Sequence, residues 1–138
     1  DRAERVPGMQ TAEEPVALAE ALAHLSAPDT LVVVDCLTLW LTNLVMPVTT
    51  ADGQHDFASD SSMDLSRAPI DRFLQVLSKA AGPVVLVGNE IGMGVIPLGA
   101  QVRAFVDTLG RLNQDVARVC SRVTLMAAGL PLTLKDTV

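Results

Sequence analysis

Residues 83–97 read PVVLVGNEIGMGVIP, and this stretch decides the fold class. The apolar run VVLV at 84–87, in which three of the four residues are β-branched, predicts a buried strand that ends at Val87. Asn89 and Glu90 follow after a single glycine, and a Gly-Met-Gly run begins at Gly92. Such residues suit a tight turn, but they equally suit the rim of a ligand site, where glycine lets the backbone approach a ligand. The local sequence leaves both interpretations open.

A second apolar run, LVVVD, ends in Asp35. Helical patterns alternate with the strands, at 11–26, 37–46, 65–82 and 98–120, and further strand patterns lie at 121–129 and 130–135. This alternation predicts an α/β chain with a mostly parallel sheet, buried on both faces and flanked by helices. Ligands bind beyond the carboxyl ends of the strands in such a sheet, where Asp35, Asn89 and Glu90 are expected.

Composition excludes several classes of function. The chain has 138 residues, 49% hydrophobic and 19% charged, which is typical of a globular domain. The net charge of −6 argues against nucleic-acid partners, and no apolar run is long enough for a membrane span. We find no internal repeat or domain boundary, so residues 1–138 are interpreted as a single domain. The polar segment 47–64 is predicted to be a flexible insertion.

Asp35 has two interpretations. Four apolar residues followed by Asp form the pattern of a Walker B element, whose carboxylate holds Mg²⁺ at a nucleotide site. An Asp at this position is equally suited to capping the helix that follows. The pattern alone does not decide between a metal ligand and a helix cap.

Several blocks of sequence, taken together, resemble the bifunctional adenosylcobinamide kinase/adenosylcobinamide-phosphate guanylyltransferase family of cobalamin biosynthesis. The resemblance covers residues 2–135, apart from the polar segment. The blocks are RVPGMQTAE at 5–13, VVVDCLTLWLTNL at 32–44, VGNEIGMGVIP at 87–97, GRLNQDVA at 110–117 and VTLMAAGLPLTLK at 123–135.

The family resemblance implies a RecA-like P-loop fold and two reactions. A nucleoside triphosphate phosphorylates the aminopropanol hydroxyl of adenosylcobinamide. GMP then moves from GTP, through a guanylylated histidine, onto that phosphate to give adenosylcobinamide-GDP. The ligands implied are adenosylcobinamide, GTP, ATP and Mg²⁺, and a cytoplasmic homotrimer is expected.

The same resemblance assigns roles to residues. Asp35 falls on the Walker B carboxylate that would hold Mg²⁺, and Asp1 falls at the position of the guanylylated histidine. Asn89 and Glu90 fall at the strand end beside the nucleotide site, and we expect them to bind the nucleotide. The guanine-nucleotide segment falls on Arg5, Val6, Pro7, Gly8 and Met9.

The sequence also departs from the family pattern. Val6 and Met9 stand where the family has Pro and Trp, and residues 1–13 contain neither a histidine nor a G-x-x-x-x-G-K-[ST] loop. The resemblance therefore predicts that the phosphate loop, with its strand and helix, and the histidine lie upstream of Asp1. Three explanations are left open: the chain is the C-terminal part of a complete enzyme, a catalytically silent binding or assembly subunit of this family, or an unrelated α/β domain.

Overall fold

The computed structural model describes residues 6–45 and 66–137. The predicted insertion at 47–64 lies outside the described residues. Helices and strands alternate as the sequence predicts, which confirms the α/β class. In chain order they are α1 (Leu18–Leu25), β1 (Val32–Asp35), α2 (Leu37–Val45), α3 (Arg67–Leu77), β2 (Val84–Val87), a 3₁₀ turn (Ile91–Met93), α4 (Ala100–Val119), β3 (Arg122–Ala127) and β4 (Leu130–Asp136).

Strands β1 and β2 form a parallel pair in which Asp35 lies opposite Val87. Val32, Val34, Val84 and Leu86 share the face that packs against the helices. The other face is not covered by the residues described, since Val33 is 54%, Val85 47% and Val87 40% exposed. The prediction of burial on both faces therefore holds for one face only.

Strands β3 and β4 form a separate antiparallel sheet. The loop between them has two residues, Ala128 and Gly129, with φ angles of 51° and 77°. So short a loop folds the chain straight back, whereas a parallel connection needs a crossover of a dozen or more residues. The expected mostly parallel sheet is thus reduced, within the described residues, to one parallel pair beside an antiparallel hairpin.

One hydrophobic core joins α1, the parallel pair, α2, α3 and α4. Apolar residues recur every three or four positions on the helices, so each helix buries one face. Trp40 and Phe73 lie at its centre with ring centroids 5.1 Å apart. The Trp40 indole also donates a 2.9 Å hydrogen bond to the Val16 carbonyl, which fastens the segment before α1 to α2. The buried residues of α4 are Phe105, Leu109, Leu112 and Val116.

Helix α1 begins at Leu18, later than the start at Thr11 that the sequence predicts. Glu14 Oε1 accepts hydrogen bonds from the backbone amides of Val16 and Ala17, at 3.0 and 2.8 Å. These bonds hold a turn ahead of the helix and lower the pKa of Glu14. Among the helices of the described residues, none combines the length and apolar character needed to span a membrane.

Candidate nucleotide site

The carboxyl edge of the parallel pair carries the polar residues singled out from the sequence. Asp35 is the last residue of β1, is exposed, and leads almost directly into α2. Opposite it, β2 ends at Val87, and Asn89 and Glu90 follow after a single glycine. The parallel register therefore places Asp35, Asn89 and Glu90 at one edge, as the sequence predicts.

Thr38 joins the loop after β2 to the first turn of α2. Its Oγ1 accepts a hydrogen bond from the backbone N–H of Asn89 and another from Asn89 Nδ2, each 3.1 Å long. Thr38 is half-buried and stands three positions after Asp35. The Thr38 hydroxyl group consequently lies at the same edge as the Asp35 carboxylate.

Asn113 joins the same loop to α4. Its Nδ2 donates to Glu90 Oε1 at 2.7 Å and to the Asn89 carbonyl at 3.1 Å. An amide nitrogen has two hydrogens, and both are used in these bonds. Asn113 therefore fixes the Glu90 carboxylate and the Asn89 backbone together, while Glu90 itself is exposed at the surface. We call Thr38, Asn89, Glu90 and Asn113 the edge network.

The chain beyond Glu90 forms an exposed apolar rim. The Arg103 guanidinium holds this segment by donating to the carbonyls of Pro97 at 3.0 Å and Leu98 at 2.6 Å. The exposed fractions of its large apolar side chains are 75% for Met93, 95% for Val95, 80% for Ile96 and 98% for Leu98. Residues 87–97 were open to two interpretations, a turn or the rim of a ligand site. In the structure the segment forms a turn, and its first residues are also part of the polar edge.

The segment 6–9 forms a tight turn of its own. The Met9 N–H donates to the Val6 carbonyl at 3.1 Å, and Gly8 has a φ of 86°. Pro followed by Gly with positive φ is typical of a type II turn. No hydrogen bond joins this turn to the edge network within the described residues. Asp1 and Arg5 lie outside those residues, so their predicted roles are not placed.

The donors and acceptors of the edge suit a hard cation and a polar ligand. In the part of the chain that the structure describes, no three His, Cys, Asp or Glu side chains gather as a set able to hold a metal ion. Mg²⁺ does not require such a cage, because it is usually held by one or two carboxylates together with waters and substrate phosphates. Asp35 at an open strand end fits that demand.

Comparison with known proteins identifies the family. A family model described as cobinamide kinase / cobinamide phosphate guanyltransferase matches residues 1–134. The chain belongs to this family. Membership excludes the explanation of an unrelated α/β domain, and it confirms the resemblance found in the sequence, including the connection with cobalamin biosynthesis.

Three curated relatives of this kinase/guanyltransferase family agree. The chain is 42% identical to the bifunctional adenosylcobalamin biosynthesis protein CobP of Pseudomonas aeruginosa over 134 residues, which are 97% of this chain and 70% of that protein. It is 34% identical to the CobU protein of Salmonella typhimurium over 79% of this chain and 60% of the relative. For Escherichia coli CobU the identity is 29% over 78% of this chain and 60% of the relative. The chain thus spans between three fifths and seven tenths of the relatives it matches.

Sequence reasoning missed two members of the edge network, Thr38 and Asn113. Both stand inside blocks that carry the family resemblance, but neither is a strand-end residue. Asn113 did carry a signal, because it lies four positions after Leu109 and three before Val116, on the apolar side of α4. A polar residue on such a stripe needs a partner when it is half-buried, and here the partners are Glu90 and Asn89.

Proposed function

We propose that this protein phosphorylates adenosylcobinamide and then transfers GMP from GTP to the phosphorylated product. The chain belongs to the cobinamide kinase / cobinamide phosphate guanyltransferase family. The observation that carries the proposal is the edge network, in which hydrogen bonds join polar residues at the carboxyl edge of the parallel strands. That edge is where α/β folds bind ligands. ATP or GTP would serve the first step and GTP the second.

Asp35 is proposed as the Mg²⁺ ligand. Its carboxylate is a hard oxygen ligand on a strand end, the chemistry that Mg²⁺ prefers. When bound, the cation would neutralise charge on the phosphates during transfer. Asn89 and Glu90 are proposed to contact the nucleotide, and the edge network holds both in place before the ligand arrives.

The remaining features of the proposal rest on family membership. They are a RecA-like P-loop fold for the whole protein, a nucleotide-binding role for the segment 5–9, a homotrimeric assembly and a cytoplasmic location. Asp1 stays assigned to the position of the guanylylated histidine. A chain that binds both ligands and turns over neither would instead be the binding or assembly subunit considered above.

The test compares two aspartates that each end a strand. Asp35→Asn removes the charge at the parallel edge, whereas Asp136→Asn removes it at the end of β4, where Asp136 pairs with Arg122 at 3.3 Å. Changing a residue that only supports a metal ligand costs about 10- to 100-fold in affinity or activity, so loss of the ligand should cost about 100-fold or more. Phosphorylation of adenosylcobinamide and GMP transfer are measured separately in the intact protein.

Asp136→Asn should keep both activities and lose no more than about 1 kcal/mol of stability, because its ion pair is exposed. Asp35→Asn should melt like the wild type while both activities fall. Full activity of a folded Asp35→Asn protein would remove Asp35 from the proposed site. Equal loss in the two variants would mean that the effect is not specific to the parallel edge.

A further inference from the structure

The hydrogen bonds of the edge network determine which way the Thr38 hydroxyl group can act. Its oxygen has two lone pairs, and two N–H groups of Asn89 donate to it at 3.1 Å each. One of the donors is a backbone N–H, which can only donate. With both acceptor positions of Thr38 Oγ1 filled, its own hydrogen must be donated to some other acceptor.

The far end of the network maintains this direction. Asn113 holds the Asn89 carbonyl at 3.1 Å, and its second hydrogen goes to Glu90. Asn89 is therefore bonded on both sides, by α4 through its carbonyl and by α2 through its two N–H groups. It cannot rotate away from Thr38 without losing these bonds.

The hydroxyl hydrogen of Thr38 needs an acceptor other than Asn89. Among the described residues, the hydrogen bonds of Thr38 Oγ1 are the two from Asn89. Thr38 is one turn of chain from Asp35, where a bound cation would draw the phosphates of a nucleotide. The acceptors that a nucleotide presents at that point are phosphate oxygens.

We propose that Thr38 is a phosphate-binding residue whose hydroxyl group donates to a phosphate oxygen of the bound nucleotide. Besides the nucleotide contact proposed above, Asn89 positions that hydroxyl, because it fills both of its acceptor positions and so turns the hydrogen outward. This inference rests on the proposed function, because it takes the ligand at the edge to be a nucleoside triphosphate with Mg²⁺.

The first experiment changes Thr38 and measures the affinity of the intact protein for GTP in the presence of Mg²⁺ by calorimetry. Thr38→Ser keeps the hydroxyl and should bind within about three-fold of the wild type. Thr38→Val keeps the shape but has no hydroxyl, and its affinity should fall about 10-fold or more, since a hydrogen bond to a charged group is among the stronger kinds. Melting curves show whether each variant folds.

A second variant separates phosphate binding from the structural link to Asn89. Asn89→Asp keeps its backbone N–H bond to Thr38 but replaces the side-chain donor with a carboxylate oxygen. That oxygen attracts the Thr38 hydrogen inward, so affinity for GTP with Mg²⁺ should fall about 10-fold although α2 and the loop stay joined. Gln114→Glu adds the same charge on the exposed face of α4 and should bind within about three-fold of the wild type.

Each outcome decides the proposal. Weak binding by Thr38→Val and Asn89→Asp, with Thr38→Ser and Gln114→Glu near the wild type, supports it. Thr38→Val that folds and binds GTP normally overturns it, as does Asn89→Asp that binds no more weakly than Gln114→Glu. If Thr38→Val does not fold, Thr38→Ala, which also lacks the hydroxyl, takes its place in the comparison with Thr38→Ser. A wild-type protein that does not bind GTP with Mg²⁺ would overturn the proposed function and this inference together, whereas unchanged affinity in these variants overturns the inference alone.

Discussion

The two strand pairs of this chain use their polar residues in different ways. At the parallel pair, residues distant in sequence meet: Asn89 bonds to Thr38 on α2 and is held by Asn113 on α4. At the hairpin the polar bonds join residues that are closer in sequence, 14 to 18 positions apart. Arg122 pairs with Asp136 across the strands, and Lys135 Nζ donates to the carbonyls of Ala117 and Arg118 at 2.9 and 3.2 Å.

This difference fits the ligand-binding role proposed for the parallel edge and a structural role for the hairpin. The last backbone carbonyls of α4 have no hydrogen-bond partner within the helix. The bonds from Lys135 of the hairpin supply that partner. The bonds of the edge network hold the exposed Glu90 carboxylate and the hydroxyl of the half-buried Thr38 in fixed directions at an open strand end. Damage to the edge should therefore reduce ligand binding, and damage to the hairpin should reduce stability alone.

The largest effect on stability is expected at Asn113. Asn113→Asp removes both N–H donors and places a second carboxylate beside Glu90 Oε1, where the wild-type contact is 2.7 Å. We expect a loss of about 2 kcal/mol near neutral pH, from the lost hydrogen bonds and from repulsion between like charges at a partly exposed site. Urea unfolding measures the loss, and calorimetry should show weaker nucleotide binding.

The pH dependence of the Asn113→Asp variant has a defined sign. Like charges disfavour ionisation, so the introduced carboxylate and that of Glu90 would together bind a proton more readily in the folded than in the unfolded state. The deficit relative to the wild type should therefore shrink as the pH falls toward about 4.5. Gln114→Glu, one residue away on the exposed face, should show neither the deficit nor its pH dependence. A deficit that stays constant with pH would contradict the repulsion argument.

An intermediate effect is expected where the hairpin meets α4. Lys135→Met keeps the apolar stem of the half-buried lysine but removes its two hydrogen bonds to the end of the helix. We expect a loss of about 1 to 1.5 kcal/mol in urea unfolding, because charged donors near a helix C-terminus also interact favourably with its dipole. Affinity for GTP with Mg²⁺ should not change, and a change would show that the hairpin contributes to the ligand edge.

The sequence predicts the edge better than it predicts the network. Asp35, Asn89 and Glu90 could be placed because strand patterns end at known positions and parallel strands end at the same edge. Thr38 and Asn113 could not, because their contacts depend on how α2 and α4 pack around the loop, which periodicity does not specify. Thr38 also gives no signal of its own, since a threonine in the first turn of a helix is ordinary.

The hairpin shows a different limit. Both of its strands were predicted from their apolar patterns, but their direction was not, because the loop reads Ala-Gly where two-residue hairpin loops usually have Asn-Gly or Asp-Gly. Ala128 adopts a φ of 51°, a conformation that alanine rarely takes. The turn forms because Gly129 accepts its own positive φ without cost and the flanking strands pair in regular register from Thr124 to the loop.

The smallest effect is expected from replacing Ala128, whose positive φ is unfavourable for alanine, and this change should stabilise the hairpin. Ala128→Asn replaces it with a residue that tolerates a left-handed backbone, and we expect a gain of about 0.5 to 1 kcal/mol in urea unfolding. Gly129→Ala is the matched opposite change, because it places a side chain at a φ of 77°, and it should cost about 1 kcal/mol. Neither change should alter the affinity for GTP with Mg²⁺, since neither residue belongs to the edge network. If Ala128→Asn fails to stabilise the protein while Gly129→Ala weakens it, the backbone at Ala128 is not strained, and only position 129 requires glycine. If either variant alters nucleotide affinity, the proposed separation between a structural hairpin and a ligand-binding parallel edge is wrong.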